Sequence, residues 1–462
     1  MAPQTLADRV RERLERGAAR RRVRHAAGRL LRWAALAGVV YALAGFFSLE
    51  LSLRQTTPAP VPETFFPDSG STVVSGVFSV HSGRSHDAFG SFEAIADAAR
   101  RADLDFVYLS DHPADERRPN LPEVETSWID SVLVVPGQEL VANDLGRVLA
   151  IGLDTTFRGW TDGEASFKRL FEERHATAFV IHGRSPRAGE RWSSGSVDGM
   201  AGWEALDLSE TAKRRVTEPW ALYHVGTLLL GMPLGLGDVA LLHLTRDGFD
   251  IPSVAAFDSL RMKGPLTATA GINHHPKWSL RGRPFPPYGP FLRTFQNHVT
   301  LGAPLPDDPA AAEAAITEAV RAGRVIISLG DGIWARAFRF EARTPNARVA
   351  GVGDRAAVAK GTVLRAAFRV PPRERLAYRV MRNGQEVAFL RGSELDWRVP
   401  GPGIYRLEVY RFGTRVGSLF MGLRPWIFTN PIELLDETTA GPDTVDASPE
   451  GDSVPPDPGP GR

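Results

Sequence analysis

Apolar runs that end in metal-competent side chains recur along this chain, and that recurrence constrains the fold more than any other feature. Val77-Phe78 leads into His81, His86 and Asp87, and Asp105–Leu109 leads into Asp111-His112. Between them Phe92, Ile95, Ala96 and Ala99 fall at helical spacing behind Ser91, an expected N-cap. Pro136-Gly137-Gln138-Glu139 follows Val132–Val135, His182 follows Ala178–Ile181, and Asn273, His274 and His275 follow Thr267–Ala270. Imidazole and carboxylate are the donors that Zn, Mn and Fe ions take. In a β/α barrel the carboxyl ends of the strands open on one face, so ligands at successive strand ends predict a shared metal site at one mouth. His25, His175, His224, His243 and His298 lack such company and are assigned to surface or core.

The same alternation sets the organisation. Strands are expected at Val73–Val80, Asp105–Leu109, Val132–Val135, Val148–Leu153, Ala178–Ile181, Thr267–Ala270 and Val325–Ser328, with helical patterns between several of them. Asp308-Pro309, an alanine-rich run and Gly323 spell one helix from cap to stop. Alternating β and α predicts a mainly parallel sheet, open or closed, over about 73–334. Ala221–Leu244 is apolar but interrupted by His224, Pro233, Asp238 and His243, and is read as a buried helical pair. Beyond Ala335 the runs become short and alternating, and Asn383-Gly384 marks a hairpin. A small all-β sandwich is expected over 335–435, separable from the barrel, with a disordered acidic tail over 436–462.

The N-terminus has its own logic. Ten arginines crowd residues 1–32, and an uncharged stretch from Trp33 to Leu49 follows. Basic residues resist translocation, so the expectation is a retained transmembrane signal anchor at 33–53 with residues 1–32 cytoplasmic. A cleaved signal peptide and a buried helix are the rival readings. Thr56–Pro67 reads as extended, within a linker at 54–72. The chain is then a single-pass protein of the cytoplasmic membrane, its bulk periplasmic or extracellular. There is no cysteine, which excludes disulfides and thiolate ligands. No basic stripe with interleaved aromatics occurs, so no nucleic-acid partner is expected.

Residues 76–330 resemble the polymerase and histidinol phosphatase (PHP) family of metal-dependent phosphoesterases. The resemblance rests on Asp111-His112, on Pro136-Gly137-Gln138-Glu139, on His182 and on the order of these motifs along predicted strands. It implies a distorted (β/α)7 barrel, preceded here by one transmembrane helix and followed by the sandwich. It also implies His81, Asp87, His112, Glu139, His182 and His275 as metal ligands, with Glu139 bridging and Asp111 orienting a ligand. Two positions depart from the pattern. Ser79 stands for the first histidine of His-x-His and Asn273 for the aspartate of Asp-x-His, both donors to one metal. Arg147 stands where relatives often carry histidine. The expected complement is therefore one or two divalent ions rather than three.

The function expected is that of a membrane-anchored, externally facing phosphoesterase with a partly degenerate metal site, acting on a phosphate ester through metal-activated water. Lys277, Arg184 and Arg187 follow strand ends and are candidates to clamp phosphate, or else ordinary loop charges. The alternative is a catalytically inactive module of the same type that binds an envelope ligand or partner.

Overall fold

The computed structural model describes residues 24–40, 43, 71–113, 125–142, 145–153, 176–218, 221–232, 235–245, 248–249, 251–330, 332–345, 347–368, 376–412 and 423–436. Most of the expected anchor and linker, and the tail past Asp436, lie outside the described residues. Residues 24–40 are helical. Among the described residues no helix is long and apolar enough to cross a membrane.

The fold is a mixed α/β arrangement on one large sheet. Strand β1 (Thr72–Val80) is buried from Val74 onward, as expected of β-branched and aromatic residues covered on both faces. Helix Phe92–Arg101 follows, its first turn capped by Ser91 Oγ accepting from Ala94 N at 3.2 Å. It leads to β2 (Phe106–Leu109), parallel to β1. β3 (Val132–Val135) lies parallel to β2 and bends at Pro136 into β4 (Gly137–Ala142), which touches the end of β2 through an Asp111–Gln138 bridge. β5 (Gly146–Ile151) is antiparallel to β4, and β6 (Thr177–Ile181) is antiparallel to β5. β7 (Gly202–Asp207) and β8 (Thr267–His274) continue in parallel, and β8 pairs in parallel with β1. The pairings return to their start. With β3 and β4 taken as one bent strand, the ring holds seven strands.

This differs from strict β/α alternation. β4 and β5 follow one another closely in sequence and pair antiparallel, as do β5 and β6, so that part of the sheet is antiparallel. β7 was not expected, because Gly-Trp-Glu-Ala-Leu-Asp mixes helix formers and acids in a buried strand. Of the helical pair near 221–244, Gly237–His243 is buried, whereas Ala221–Gly231 exposes Leu222 and Leu229.

The first half of β1 leaves the ring to pair antiparallel with β9 (Phe295–Leu301), and β9 pairs with β10 (Val325–Leu329). β10 then pairs with Leu423–Thr429, and through it the sheet continues to Gly403–Phe412, Leu376–Arg382 and Gln385–Gly392. A second sheet of Arg348–Gly351, Phe338–Arg343, Val363–Phe368 and Glu394–Arg398 covers it. Phe368 stacks on Trp426 at 4.4 Å between the two. The C-terminal strands thus lie in two sheets, one of which is continuous with the strands of the ring.

Candidate metal centre

The strand ends that carry the candidate ligands share an unusual backbone. Ser79, His182 and Asn273 adopt φ of 61°, 54° and 43°, and β1 shifts register against both β2 and β8 just there. Left-handed conformations are costly for residues other than glycine, about 1–3 kcal/mol each, and persist where the surroundings over-determine them. They turn the chain sharply at the ends of β1, β6 and β8. Nothing in the sequence announces this.

His81 is the hub. Its ring is fully buried, with Nδ1 3.0 Å from Ser85 Oγ. Nε2 lies 3.1 Å from Ser110 Oγ, 3.2 Å from Asn273 Oδ1 and 3.3 Å from Glu139 Oε2. The ring stacks on His275 with centroids 3.6 Å apart. His275 Nδ1 lies 3.1 Å from Asp87 Oδ2, and its Nε2 is 2.8 Å from Asn273 Oδ1. The donor atoms of His81, Asp87, His112 and His275 all fall within 4.8 Å of one another. Asp87 Oδ1 is buried with no hydrogen-bond partner among the described residues, while His275 Nδ1 and Glu139 Oε2 have neighbours only within the cluster, Asp87 Oδ2 at 3.1 Å and His81 Nε2 at 3.3 Å. A buried polar atom left this way points to an absent partner, and the donor set of three imidazoles and a carboxylate fits a divalent transition-metal ion.

The charges agree with that reading. Burial, reinforced by the neighbouring His275, lowers His81 to about 4, and burial also lowers His112, so both imidazoles are neutral. Burial works to raise Asp87, but the hydrogen bond and charge of His275 and the nearby His112 and His81 hold it well below the usual carboxylate range. Glu139 is likewise held ionised against its burial by His81 and His182.

The other side of the mouth is different. His182 Nδ1 sits 2.5 Å from Asp207 Oδ2, and Glu204 Oε1 accepts from Ser79 Oγ at 2.8 Å. Burial opposes a charged His182, yet the adjacent Asp207 carboxylate raises it to about 10. Burial and the same Asp207 push Glu204 well above its ordinary value. Room for the Glu204 carboxylate exists because position 271 is glycine: a Cβ there would lie 1.4 Å from Glu204 Oε1. Arg147, on β5, pairs through Nη1 with Glu139 Oε1. His182, Glu204 and Asp207 also bring donors within 4.8 Å of one another, but these are engaged with each other and with Ser79. Of the two positions expected to weaken a metal, Ser79 bonds Glu204 and Asn273 bonds His81 and His275, while Arg147 pairs with Glu139. The donors of both groups lie close enough to hold an ion, and the cluster around His81 differs in that Asp87 Oδ1 is buried without a partner among the described residues.

The remaining candidates are placed as follows. Asp111 accepts from Ser82 N at 2.7 Å and from Ser82 Oγ at 2.6 Å, and so braces the turn after β1. His86 lies beside His112, with ring centroids 5.0 Å apart. His274 stacks on Phe291 at 3.7 Å and faces Pro286 O, away from the cluster. Arg187 pairs with Glu190, while Arg184 and Lys277 are exposed. Sequence reasoning missed Glu204 and Asp207. Both stand on the unrecognised strand β7, and Asp207 doubles as the N-cap of helix Leu208–Arg215, accepting from Glu210 N at 2.9 Å.

Three solved structures share part of this outline. A two-domain protein from Bacteroides vulgatus containing a predicted PHP-like metal-dependent phosphoesterase aligns at TM-score 0.39 and 12% identity, over 80% of this chain and 98% of that one. PsfC from Pseudomonas syringae aligns at TM-score 0.31 and 14% identity, over 53% of this chain and 88% of that one. Endonuclease Q bound to a 27-mer duplex with an abasic lesion aligns at TM-score 0.23 and 15% identity, over 32% and 47%. The chain's structural neighbours therefore include PHP-like proteins, and at these TM-scores the chemistry rests on the geometry above. No family model and no curated protein matches the sequence.

Proposed function

We propose that this protein is a divalent-metal-dependent phosphoesterase of the PHP type that works with a single resident ion. The observation that carries the reading is the convergence of His81, Asp87, His112 and His275, with the buried Oδ1 of Asp87 left unpartnered among the described residues. These four side chains would hold the ion. When bound, such an ion polarises a phosphoryl oxygen and makes water a nucleophile near neutral pH. Asp111 fixes the Ser82 turn and with it the direction of His81, while Ser85 orients the His81 ring through Nδ1. Arg147 neutralises Glu139, so the buried carboxylate needs no second ion. The seven-strand ring is read as the distorted barrel of that family. The N-terminal arginines and the uncharged stretch Trp33 to Leu49 support the further reading that the chain is anchored in the cytoplasmic membrane with its bulk outside.

Elemental analysis of the full chain tests the metal reading. About one divalent ion per chain is expected, together with hydrolysis of an aryl phosphate ester that a chelator abolishes. Asp87→Asn and His275→Gln should each weaken the ion about 10–100-fold. A chain that takes up no Zn, Mn or Fe, or one whose metal survives both substitutions, overturns the assignment. The Arg147–Glu139 pair also favours the second reading, a binding module without turnover, which predicts the ion without hydrolysis. For topology, a reporter fused after Leu435 should be active only if it works outside the cytoplasm.

A further inference from the structure

A two-stranded hairpin stands out from the body directly after His275. Trp278–Leu280 pairs with Arg283–Phe285 in the order Trp278 opposite Phe285 and Leu280 opposite Arg283, so these four side chains share one face. Trp278 is 62% exposed, Leu280 60% and Phe285 38%, and the Trp278 and Phe285 rings lie 6.3 Å apart. Exposed aromatic and aliphatic side chains grouped on one projecting element are uncommon on a surface with no partner. Arg281 and Gly282, both at positive φ, make the tight turn at the tip.

The charge on this element is all of one sign. The side chains of Lys277, Arg281 and Arg283 carry no ion pair or hydrogen bond among the described residues. No Asp or Glu occurs anywhere between Asp258 and Asp307. At its base the hairpin is tied to the candidate metal centre on both sides: Phe89 N donates to Pro276 O at 2.8 Å, and His274 Nε2 lies 3.0 Å from Pro286 O. Phe89, itself 49% exposed, adds to the apolar rim.

We infer that the hairpin Trp278–Phe285 is a docking surface for an anionic lipid bilayer. Tryptophan and phenylalanine seat at the level of lipid headgroups, and flanking Lys and Arg bury their stems while their charges meet anionic phosphates. A second copy of this chain is a poorer occupant, since two such faces would oppose three unpaired cations with three more. Docking brings the mouth that holds His81 and His275 to the lipid surface. The inference does not depend on whether that mouth binds metal, nor on the N-terminal segment.

The absence of cysteine makes the test direct. Ser279→Cys, between Trp278 and Leu280, gives a single site for an environment-sensitive fluorophore on the full chain. The labelled protein is reconstituted with phosphatidylcholine vesicles, with and without phosphatidylglycerol. A shift of emission to shorter wavelength, with protection from aqueous iodide, is expected only when phosphatidylglycerol is present. The shift should be lost in Lys277→Glu/Arg281→Glu/Arg283→Glu and in Trp278→Ser/Leu280→Ser/Phe285→Ser, whose changes are all at exposed positions. Because the readout is local to the hairpin, membrane attachment through the N-terminus does not mimic it. Identical emission and iodide access in both vesicles overturns the inference. So does a shift in lipid-free detergent that grows with protein concentration, which assigns the face to a second copy.

Discussion

At the scale of single residues, Arg147 bears directly on how many ions the proposed centre would hold. A guanidinium is always charged and has no lone pair to give a metal, so beside Glu139 it substitutes for the charge of an ion but not for its chemistry. Arg147→His removes the fixed charge and adds a donor. Combined with Ser79→His and Asn273→Asp it is expected to raise the bound ion count above that of wild type by elemental analysis; an unchanged count would show that Glu204, held in place by Gly271, is the real obstacle. Arg147→Met leaves the buried Glu139 short of a counter-charge and should lower stability by about 3 kcal/mol in metal-free protein, read by urea unfolding. His298 offers a pH test away from the ligands. It is buried between Ser75 Oγ at 2.7 Å and Ser328 Oγ at 2.8 Å, and burial, with the charge of Arg336, lowers it to about 3. Its folded value lies below the unfolded one of about 6.5, so its contribution is complete above pH 6.5 and is lost as pH falls toward 3, at up to about 1.4 kcal/mol per unit. His298→Gln should flatten that slope; an equal slope in both proteins would place the acid sensitivity elsewhere.

At the scale of elements, the chain solves an edge problem with two asparagines. β9 and β8 meet the same edge of β1, β9 over its first half and β8 only at Phe78 and Val80, so the start of β8 lacks a strand on that side. Asn297 takes the place of one there, Oδ1 accepting from Ala270 N and Nδ2 donating to Ala270 O, both at 2.9 Å. Asn430 does the same at Ala268, accepting at 2.6 Å and donating at 2.8 Å, and also donates to Val325 O at 3.0 Å. Both side chains are fully buried. Asn430→Ala strands a buried N–H and a buried C=O, and about 3–5 kcal/mol of destabilisation is expected in chemical denaturation. A loss below 1 kcal/mol would mean that water replaces the amide. These elements also show what the sequence made legible. Runs such as Val132–Val135 and Val325–Leu329 are short, apolar and bounded, and their hydrophobicity alone locates them. β9 and β7 carry buried Gln296, Asn297, His298, Glu204 and Asp207, and there a period-two apolar signal fails. Ligand types at strand ends could be read from the chain; the partners of Ser79, Arg147 and Glu204 depend on ring closure, which brings residues far apart in sequence together.

At the scale of the whole molecule, the boundary near residue 335 divides the sequence but not the structure. β10 pairs with β9 on one side and Leu423–Thr429 on the other. Arg406 grips Asp258 of helix Pro252–Arg261 through two bonds of 2.7 Å and Glu408 at 2.6 Å, and Arg261 reaches Glu433 at 2.8 Å. Contrary to the expectation of a separable sandwich, a chain ending at residue 335 leaves the outer edge of β10 and the Ala268 amide unpaired. It should be insoluble or partly folded and should bind no metal, whereas the full chain should unfold in one transition by fluorescence and far-UV circular dichroism. A truncated chain that is soluble, folded and loaded with metal would restore the two-module view. The Asn430 bonds also impose an order on synthesis. Domains generally fold from the N-terminus as the chain emerges, yet the edge of β8 stays open until residue 430 has been made. Asn273 ends β8, and His275 follows it. The mouth of this protein is therefore completed only once residue 430 has been made, long after its own ligands between His81 and His275.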